Sequence, residues 1–133
     1  MNRLKLVKAL YFLKVVCKTN IQIDFDLFMY GPFSKLIPLE LEKLIHDEKV
    51  TKQRDIYSVT QPFEQKLPQR EHQLLRSIQI MSTSNVEILS ICHMVIKRRI
   101  PNHLDYIKSL KPRYTITELK KYEKQLKNRG WIN

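Results

Sequence analysis

The chain contains very little glycine: Gly31 and Gly130 are the only two among 133 residues. Loops that cradle phosphates need several glycines close together, so the P-loop and the dinucleotide-binding fingerprint are excluded. The glycine-flanked turn that presents a nucleophilic serine is also absent. We therefore expect each glycine to serve a single backbone position rather than a catalytic loop.

Cysteine is equally scarce, and Cys17 and Cys92 each lie within an apolar run. Their spacing fits neither a disulfide framework nor a zinc site. The four histidines are scattered, and we expect His93 to be buried and hydrogen-bonded rather than a ligand. The sequence thus predicts reduced core cysteines in a cytoplasmic protein, with no metal and no cofactor. It also predicts no enzyme, since only residues brought together by the fold could form an active site.

A long apolar run is missing as well. The N-terminal segment Leu4–Cys17 is apolar on almost every side of a helix, but Lys8 and Lys14 interrupt it. It is too short and too charged to span a bilayer, and no small-x-small cleavage site follows it, as a signal peptide requires. We expect a largely buried helix and no membrane partner.

The remaining segments predict a mainly α fold with a small antiparallel β-hairpin. A hydrophobic content of 43% is enough for one core, and the length predicts a single domain over residues 1–133. Thr19–Tyr30 alternates apolar and polar residues, as a half-buried strand or extended segment does, and Val50–Gln61 has the pattern of a hairpin. Further helices are predicted over residues 69–81, 85–98, 102–111 and 115–128. A helix followed directly by a hairpin makes the fold winged-helix-like, although other folds share this order.

Two helix starts carry the capping-box spacing. Ser84 with Glu87, and Thr115 with Glu118, place a hydroxyl and a carboxylate where each accepts a backbone N–H of the other residue. Gly130 is predicted to end the last helix, because glycine is favoured just past a helix end.

A sharp turn is predicted at the segment that we call the corner, which consists of Tyr30, Gly31, Pro32, Phe33 and Ser34. Gly31 is expected to have a positive φ or to lie where a β-carbon would clash, and Pro32 fixes the next φ. Ser34 can cap a helical turn, and Pro38 suits the first position of the following helix. The corner is thus predicted to be a structural turn or part of a partner surface.

Positive charge is concentrated toward the C-terminus. The net charge is +11, and from Lys97 onward 11 lysines and arginines face 3 acidic residues. Such asymmetry indicates an anionic partner, most often nucleic acid, although a basic face kept for solubility explains it almost as well.

The last predicted helix carries a group of four lysines, here called the lysine ridge: Lys120, Lys121, Lys124 and Lys127. At helical pitch they lie opposite Leu119, Tyr122 and Leu126, and Arg129 follows at the helix end. Lysines so arranged can contact a phosphate backbone, as can Lys52 and Arg54 near the hairpin turn. The alternative is a solvated helix face with an ordinarily charged hairpin tip.

Three segments resemble the Panacea (SocA-like) antitoxin-domain proteins and the related YwgA-type proteins. "LVKALYFL" (Leu6–Leu13) is similar to their "KLxKLLYFL", and Phe28–Val50 is similar to their "Y-GP-S…L…L…L…G-I" segment. The tail from "LKP" to "GWI" resembles the YwgA-type ending. Lys49 stands where the family usually has glycine. The resemblance implies a mostly helical, non-catalytic protein with a small hairpin, acting as a toxin-neutralising module or adaptor.

Two hypotheses follow from these observations. The charge asymmetry favours a nucleic-acid-binding regulator that contacts duplex DNA through its basic C-terminal surface. The resemblance favours a protein-binding adaptor or antitoxin-like module, with a partner such as a toxin. The sequence predicts neither the DNA site nor the oligomeric state.

Overall fold

The computed structural model describes residues 1–59 and 68–132. The described residues form six α-helices and two antiparallel two-stranded sheets. The helices are α1 (Arg3–Val15), α2 (Leu36–His46), α3 (Gln69–Ile80), α4 (Thr83–Lys97), α5 (His103–Leu110) and α6 (Ile116–Asn128). The strands are β1 (Asp26–Phe28), β2 (Gly31–Phe33), β3 (Val50–Gln53) and β4 (Ile56–Val59).

This architecture confirms the prediction of a mainly α fold with a small antiparallel hairpin. The hairpin pairs Val50 with Val59 and Gln53 with Ile56. The last two residues of the predicted hairpin segment, at positions 60 and 61, lie outside the described residues. The likeness to a winged helix stays a prediction.

Helix α4 lies at the centre of the fold. Every residue from Val86 to Val95 is buried, and a helix that is apolar on nearly all sides must be surrounded by other elements. It packs against α1, α5, α6 and β2. The position of α4 therefore determines where the other elements can lie.

Helix α1 is the second core element, and its burial confirms the interpretation of the N-terminal apolar run. Phe12 has no exposed surface and contacts the ring of Trp131 at a centroid distance of 4.8 Å. Asn2 caps the helix by accepting a hydrogen bond from the N–H of Lys5 at 2.8 Å. No helix in the described part of the chain is long and apolar enough to cross a membrane.

The alternating segment after α1 is extended, but only its end pairs as a strand. Ile21 and Ile23 are half-buried and Phe25 is buried, while Gln22 and Asp24 are exposed. The predicted alternation is thus confirmed. Because pairing begins only at Asp26, the segment before it lies against the helices and pairs with no strand in residues 1–59 and 68–132.

Two predicted helix starts were wrong. The N-cap of α4 is Ser82, whose side chain accepts from the N–H of Asn85 at 3.1 Å. Ser84 lies inside the helix, and Glu87 is buried in an ion pair with Lys111 instead of closing a capping box. Helix α2 begins at Leu36, so Pro38 is its third residue. A proline is still tolerated there because the first four N–H groups of a helix lack helical partners.

The capping box of α6 is confirmed. The Thr115 hydroxyl accepts from the N–H of Glu118, and the Glu118 carboxylate accepts from the N–H of Thr115, both at 3.1 Å. The helix ends at Asn128, and Gly130 follows with a φ of +71°.

Candidate functional site: the basic helix face and the corner cleft

The lysine ridge lies on the solvent side of α6. All four of its side chains are exposed. Leu119 and Leu126, on the opposite side of the helix, have no exposed surface. The division between core face and basic face predicted from the spacing is therefore confirmed, and the basic face belongs to a firmly docked helix.

Most of the ridge lysines form no ion pair among the described residues, although hydrogen bonds from Thr115, aided by the charge of Lys121, lower the pKa of Glu118. Lys127 lies 3.9 Å from the carboxylate of Glu123, at the limit of an ion pair. Within residues 1–59 and 68–132, Lys120, Lys121 and Lys124 form no ion pair with an acidic side chain. Their ammonium groups are thus available for an external anion.

Arg129 is exposed but lies past the helix end. Its guanidinium group stacks over the Trp131 ring at 5.3 Å. This contact gives Arg129 a fixed position beside a buried aromatic residue, which the four lysines do not have.

The basic residues of the hairpin lie on a different part of the fold. Lys52 and Arg54 are exposed, and the ammonium group of Lys52 lies 5.7 Å from the centre of the Tyr57 ring. The hairpin packs against α2 and pairs with the N-terminus through Asn2 and Ile56. Helix α6 instead packs against α4 and α5. No described hydrogen bond, ion pair or ring contact joins the hairpin residues to the ridge.

The corner divides into a buried part and an exposed part. Gly31, Pro32 and Ser34 are buried, Phe33 is half-buried, and Tyr30 is 60% exposed. The Ser34 hydroxyl accepts from the N–H of Leu36 at 3.2 Å, but the N-cap position of α2 is Lys35, whose side chain makes no capping hydrogen bond. The corner is thus a structural turn, and its role as a partner surface stays a prediction.

Gly31 meets both conditions predicted for it. Its φ is +95°, a conformation that side chains oppose. A β-carbon there would lie 2.9 Å from the Ser90 hydroxyl and 3.2 Å from Ile91, both on the central helix α4. The corner therefore fits against α4 only because this residue is glycine.

Sequence analysis missed the most unusual residue near the corner, Lys8. Its side chain is only 1% exposed, and its ammonium group donates to the Pro32 carbonyl at 2.8 Å. Burial lowers the pKa of Lys8 from 10.5 to about 8, while Glu87 opposes this shift and Lys111 adds to it. The only signal in the sequence was a lysine interrupting an apolar run.

Lys8 belongs to a polar group beneath the corner. Glu87, on α4, forms an ion pair with Lys111. The ammonium group of Lys111 also lies 5.0 Å from the centre of the Tyr30 ring. The Ser90 hydroxyl donates to the Glu87 carbonyl at 2.7 Å. These contacts tie the corner to α4 and to the segment after α5.

A cleft of about 660 Å³ opens beside the corner. It lies between the start of α1, the β1–β2 corner and the hairpin turn at Asp55. We call it the corner cleft. Tyr30 and Phe33 line it, and Lys8 lies at its floor.

Large apolar side chains are exposed around the same corner. Met29 is 60% exposed, and Leu36 and Leu39, in the first turn of α2, are also exposed. A concentration of exposed apolar side chains is a common feature of protein-binding surfaces.

His93 is a buried structural residue, as expected. Its Nε2 lies 3.0 Å from the Trp131 carbonyl and its Nδ1 lies 2.8 Å from the Tyr11 hydroxyl. Because a carbonyl only accepts, Nε2 carries the proton and Nδ1 accepts from Tyr11. Burial lowers the pKa of His93 to about 4, so the ring is neutral near pH 7.

The two thiols are not activated. Cys92 is buried and Cys17 is half-buried, and burial raises the pKa of both thiols, that of Cys92 to about 12. In the described part of the chain, no three histidine, cysteine, aspartate or glutamate side chains lie close enough together to hold a metal ion.

Comparison of the chain with protein-family models, with curated proteins and with solved structures found no match.

Proposed function

We propose that the protein is a nucleic-acid-binding regulator that contacts the phosphate backbone of duplex DNA through the lysine ridge. One observation carries the proposal: Lys120, Lys121 and Lys124 are exposed together on a docked helix and, within the described residues, form no ion pair with an acidic side chain. Each lysine that contacts a phosphate releases condensed counterions, which favours binding.

The proposal also involves the hairpin. Lys52 and Arg54 are exposed at the hairpin turn, and because the hairpin packs on α2 and not on α6, they would contact DNA as a second site, separate from the ridge. Contacts of this kind position a protein on DNA without reading its sequence. The protein is assigned to the cytoplasm, where unpaired cysteines such as Cys17 and Cys92 stay reduced.

Replacement of Lys120, Lys124 and Lys127 together by alanine tests the proposal. Folding should be retained because alanine is a good helix former and the three side chains are exposed. Affinity for duplex DNA, measured by fluorescence anisotropy, should fall for all sequences alike. The slope of log affinity against log salt should become shallower by about 0.9 per lost phosphate contact.

The control removes the same amount of charge elsewhere. Lys43, Lys49 and Arg76 are exposed on α2, after α2 and on α3. Their triple alanine variant should keep most of the affinity and the wild-type slope. If both triple variants lose affinity equally, net charge alone explains the binding and the ridge has no specific role.

A second candidate function is a protein-binding adaptor or antitoxin-like module. The exposed apolar side chains around the corner favour it, above all Met29, Tyr30 and Leu39. The proposed partner is a protein with a complementary apolar surface. The resemblance to Panacea and YwgA-type proteins supports the same proposal.

The two candidate functions predict opposite mutant behaviour. A Leu39→Asp variant should lose a defined protein partner and keep DNA affinity, because Leu39 is exposed at the start of α2. The lysine-ridge variant should do the reverse. Light scattering on the purified complex measures the first property, and anisotropy measures the second.

A further inference from the structure

The corner cleft has the size of a small-molecule site. Its volume of about 660 Å³ lies within the usual range of ligand pockets, roughly 300–1,000 Å³. It is bounded by segments far apart in the sequence: the start of α1, the corner, Asp55 in the hairpin turn and Thr83 at the start of α4.

One side of the cleft is aromatic. Phe28, Tyr30 and Phe33 all line it. Phe28 and Phe33 meet edge to face at a centroid distance of 5.8 Å, and Lys111 holds the Tyr30 ring by its cation–π contact. Phe28 and Tyr30 are 45% and 60% exposed. Aromatic side chains held in place while still exposed offer surfaces on which a planar ring can stack.

The cleft is also electropositive. Arg3 and Lys35 line it, are exposed, and form no ion pair within residues 1–59 and 68–132. Lys8 adds a cation at the floor, and Asp55 is the one acidic residue among the described residues that line the cleft. Three cations against one carboxylate favour an anionic occupant.

We propose that the corner cleft binds a small aromatic anion, that is, a planar ring system that carries a carboxylate, sulfonate or phosphate group. The ring packs against the aromatic wall, and Arg3 and Lys35 pair with the anionic group. This proposal does not depend on DNA binding, because the lysine ridge is on α6 and the cleft is lined by other elements.

Titration with anilinonaphthalene sulfonate, a fluorescent aromatic anion, tests the proposal. The wild-type protein should bind one probe molecule saturably. Adenosine monophosphate and indole acetate should then be added as competitors. Displacement by the first assigns a ring with a phosphate, and displacement by the second assigns a ring with a carboxylate. If neither displaces a probe that the cleft variants show to bind in the cleft, the occupant is a ring with a sulfonate. If the wild-type protein shows no saturable probe binding, the proposal is overturned.

Variants locate the site. The Arg3→Ala, Lys35→Ala double variant should bind the probe on the order of tenfold more weakly, because two charge-assisted contacts are lost. Tyr30→Ala should weaken binding as well. Because the Tyr30 side chain is exposed, its removal should leave the fold intact. Near-ultraviolet circular dichroism checks that each variant keeps native packing, since the probe also binds loosely packed states.

Two controls separate this site from other basic surfaces. The Lys43→Ala, Arg76→Ala double variant removes the same charge away from the cleft and should bind the probe like the wild type. The triple alanine variant of Lys120, Lys124 and Lys127 should also bind the probe like the wild type, even if it loses DNA affinity. Equal loss of probe binding in the cleft variant and in either control overturns the proposal.

Discussion

Lys8 affects both the stability of the fold and the corner cleft. Its ammonium group lies under the corner, donates to the Pro32 carbonyl at 2.8 Å and forms part of the cleft floor. Burying a charged group is unfavourable unless hydrogen bonds and nearby charges compensate. Glu87 supplies part of that compensation and Lys111 opposes it.

The pH dependence of stability should report this burial. The pKa of Lys8 is about 8 in the folded protein and 10.5 without the shift. Below pH 8 both states carry the proton and the burial penalty is complete. Between pH 8 and pH 10.5 Lys8 is deprotonated in the folded state but still protonated in the unfolded state, so the folded state gains stability as pH rises.

The Lys8→Met variant removes the titrating ammonium group and keeps a long, unbranched side chain at this position. The free energy of unfolding of the wild type, minus that of the variant, should increase by up to about 3 kcal/mol between pH 8 and pH 10.5. Urea denaturation at several pH values measures this difference, in which titrating groups that do not interact with Lys8 cancel. A constant difference would show that Lys8 is not desolvated as described.

The two glycines provide a paired test at the same scale. Both have positive φ, but a β-carbon at Gly31 would meet Ser90, whereas one at Gly130 has nothing within 4 Å. Gly130→Ala should lower the free energy of unfolding by about 1 kcal/mol from backbone strain alone. Gly31→Ala should lower it by roughly 1–3 kcal/mol more, because α4 must shift as well. Equal losses in urea denaturation would contradict the close packing of the corner on α4.

At the scale of elements, helix starts depend on more than local spacing. Both Ser82 and Ser84 are suitable cap residues, and only Ser84 has a glutamate three positions later. The structure uses Ser82, because Glu87 pairs with Lys111 in the core and is not available to the backbone. Lys111, which is distant in the sequence, thus determines which serine caps α4.

Alanine substitution distinguishes the two serines. Ser82→Ala should destabilise the protein by about 1 kcal/mol, the usual effect of losing an N-cap. Ser84→Ala should be neutral or slightly stabilising, since Ser84 is an exposed residue inside the helix. Thermal unfolding of both variants measures the difference. A larger loss of stability in Ser84→Ala than in Ser82→Ala would instead support Ser84 as the N-cap, as predicted from the sequence.

Elements with strong local signals were predictable. The capping box of Thr115 and Glu118 together with Gly130 fixed both ends of α6, and the apolar and basic faces followed from helical spacing. The hairpin followed from apolar residues on either side of a polar turn. The lysine ridge was predictable for the same reason, because its residues are neighbours on one helix.

The corner cleft was not predictable in this way. Arg3, Tyr30, Lys35 and Asp55 come together only through the packing of α1, the corner and the hairpin. Nothing in the local pattern around Lys8 indicates that the Pro32 carbonyl would lie over it. Sites built from distant segments require the tertiary structure.

At the scale of the whole molecule, the largest excess of positive charge and the apolar side chains exposed at the corner belong to different segments of the chain. The net charge of +11 is concentrated toward the C-terminus and includes the ridge. Several exposed apolar side chains, among them Met29 and Leu39, lie around the corner, and others such as Ile80 lie elsewhere on the surface. We propose that the ridge binds DNA, and this claim does not involve the apolar side chains around the corner.

The salt dependence of duplex DNA binding by the wild-type protein tests that claim most directly. Fluorescence anisotropy with two unrelated duplexes should be recorded at a series of salt concentrations. Phosphate contacts by at least three ridge lysines predict that log affinity falls against log salt with a slope of about −3 or steeper, and similarly for both duplexes. Absence of binding at low salt, or an affinity that does not change with salt, would contradict the account.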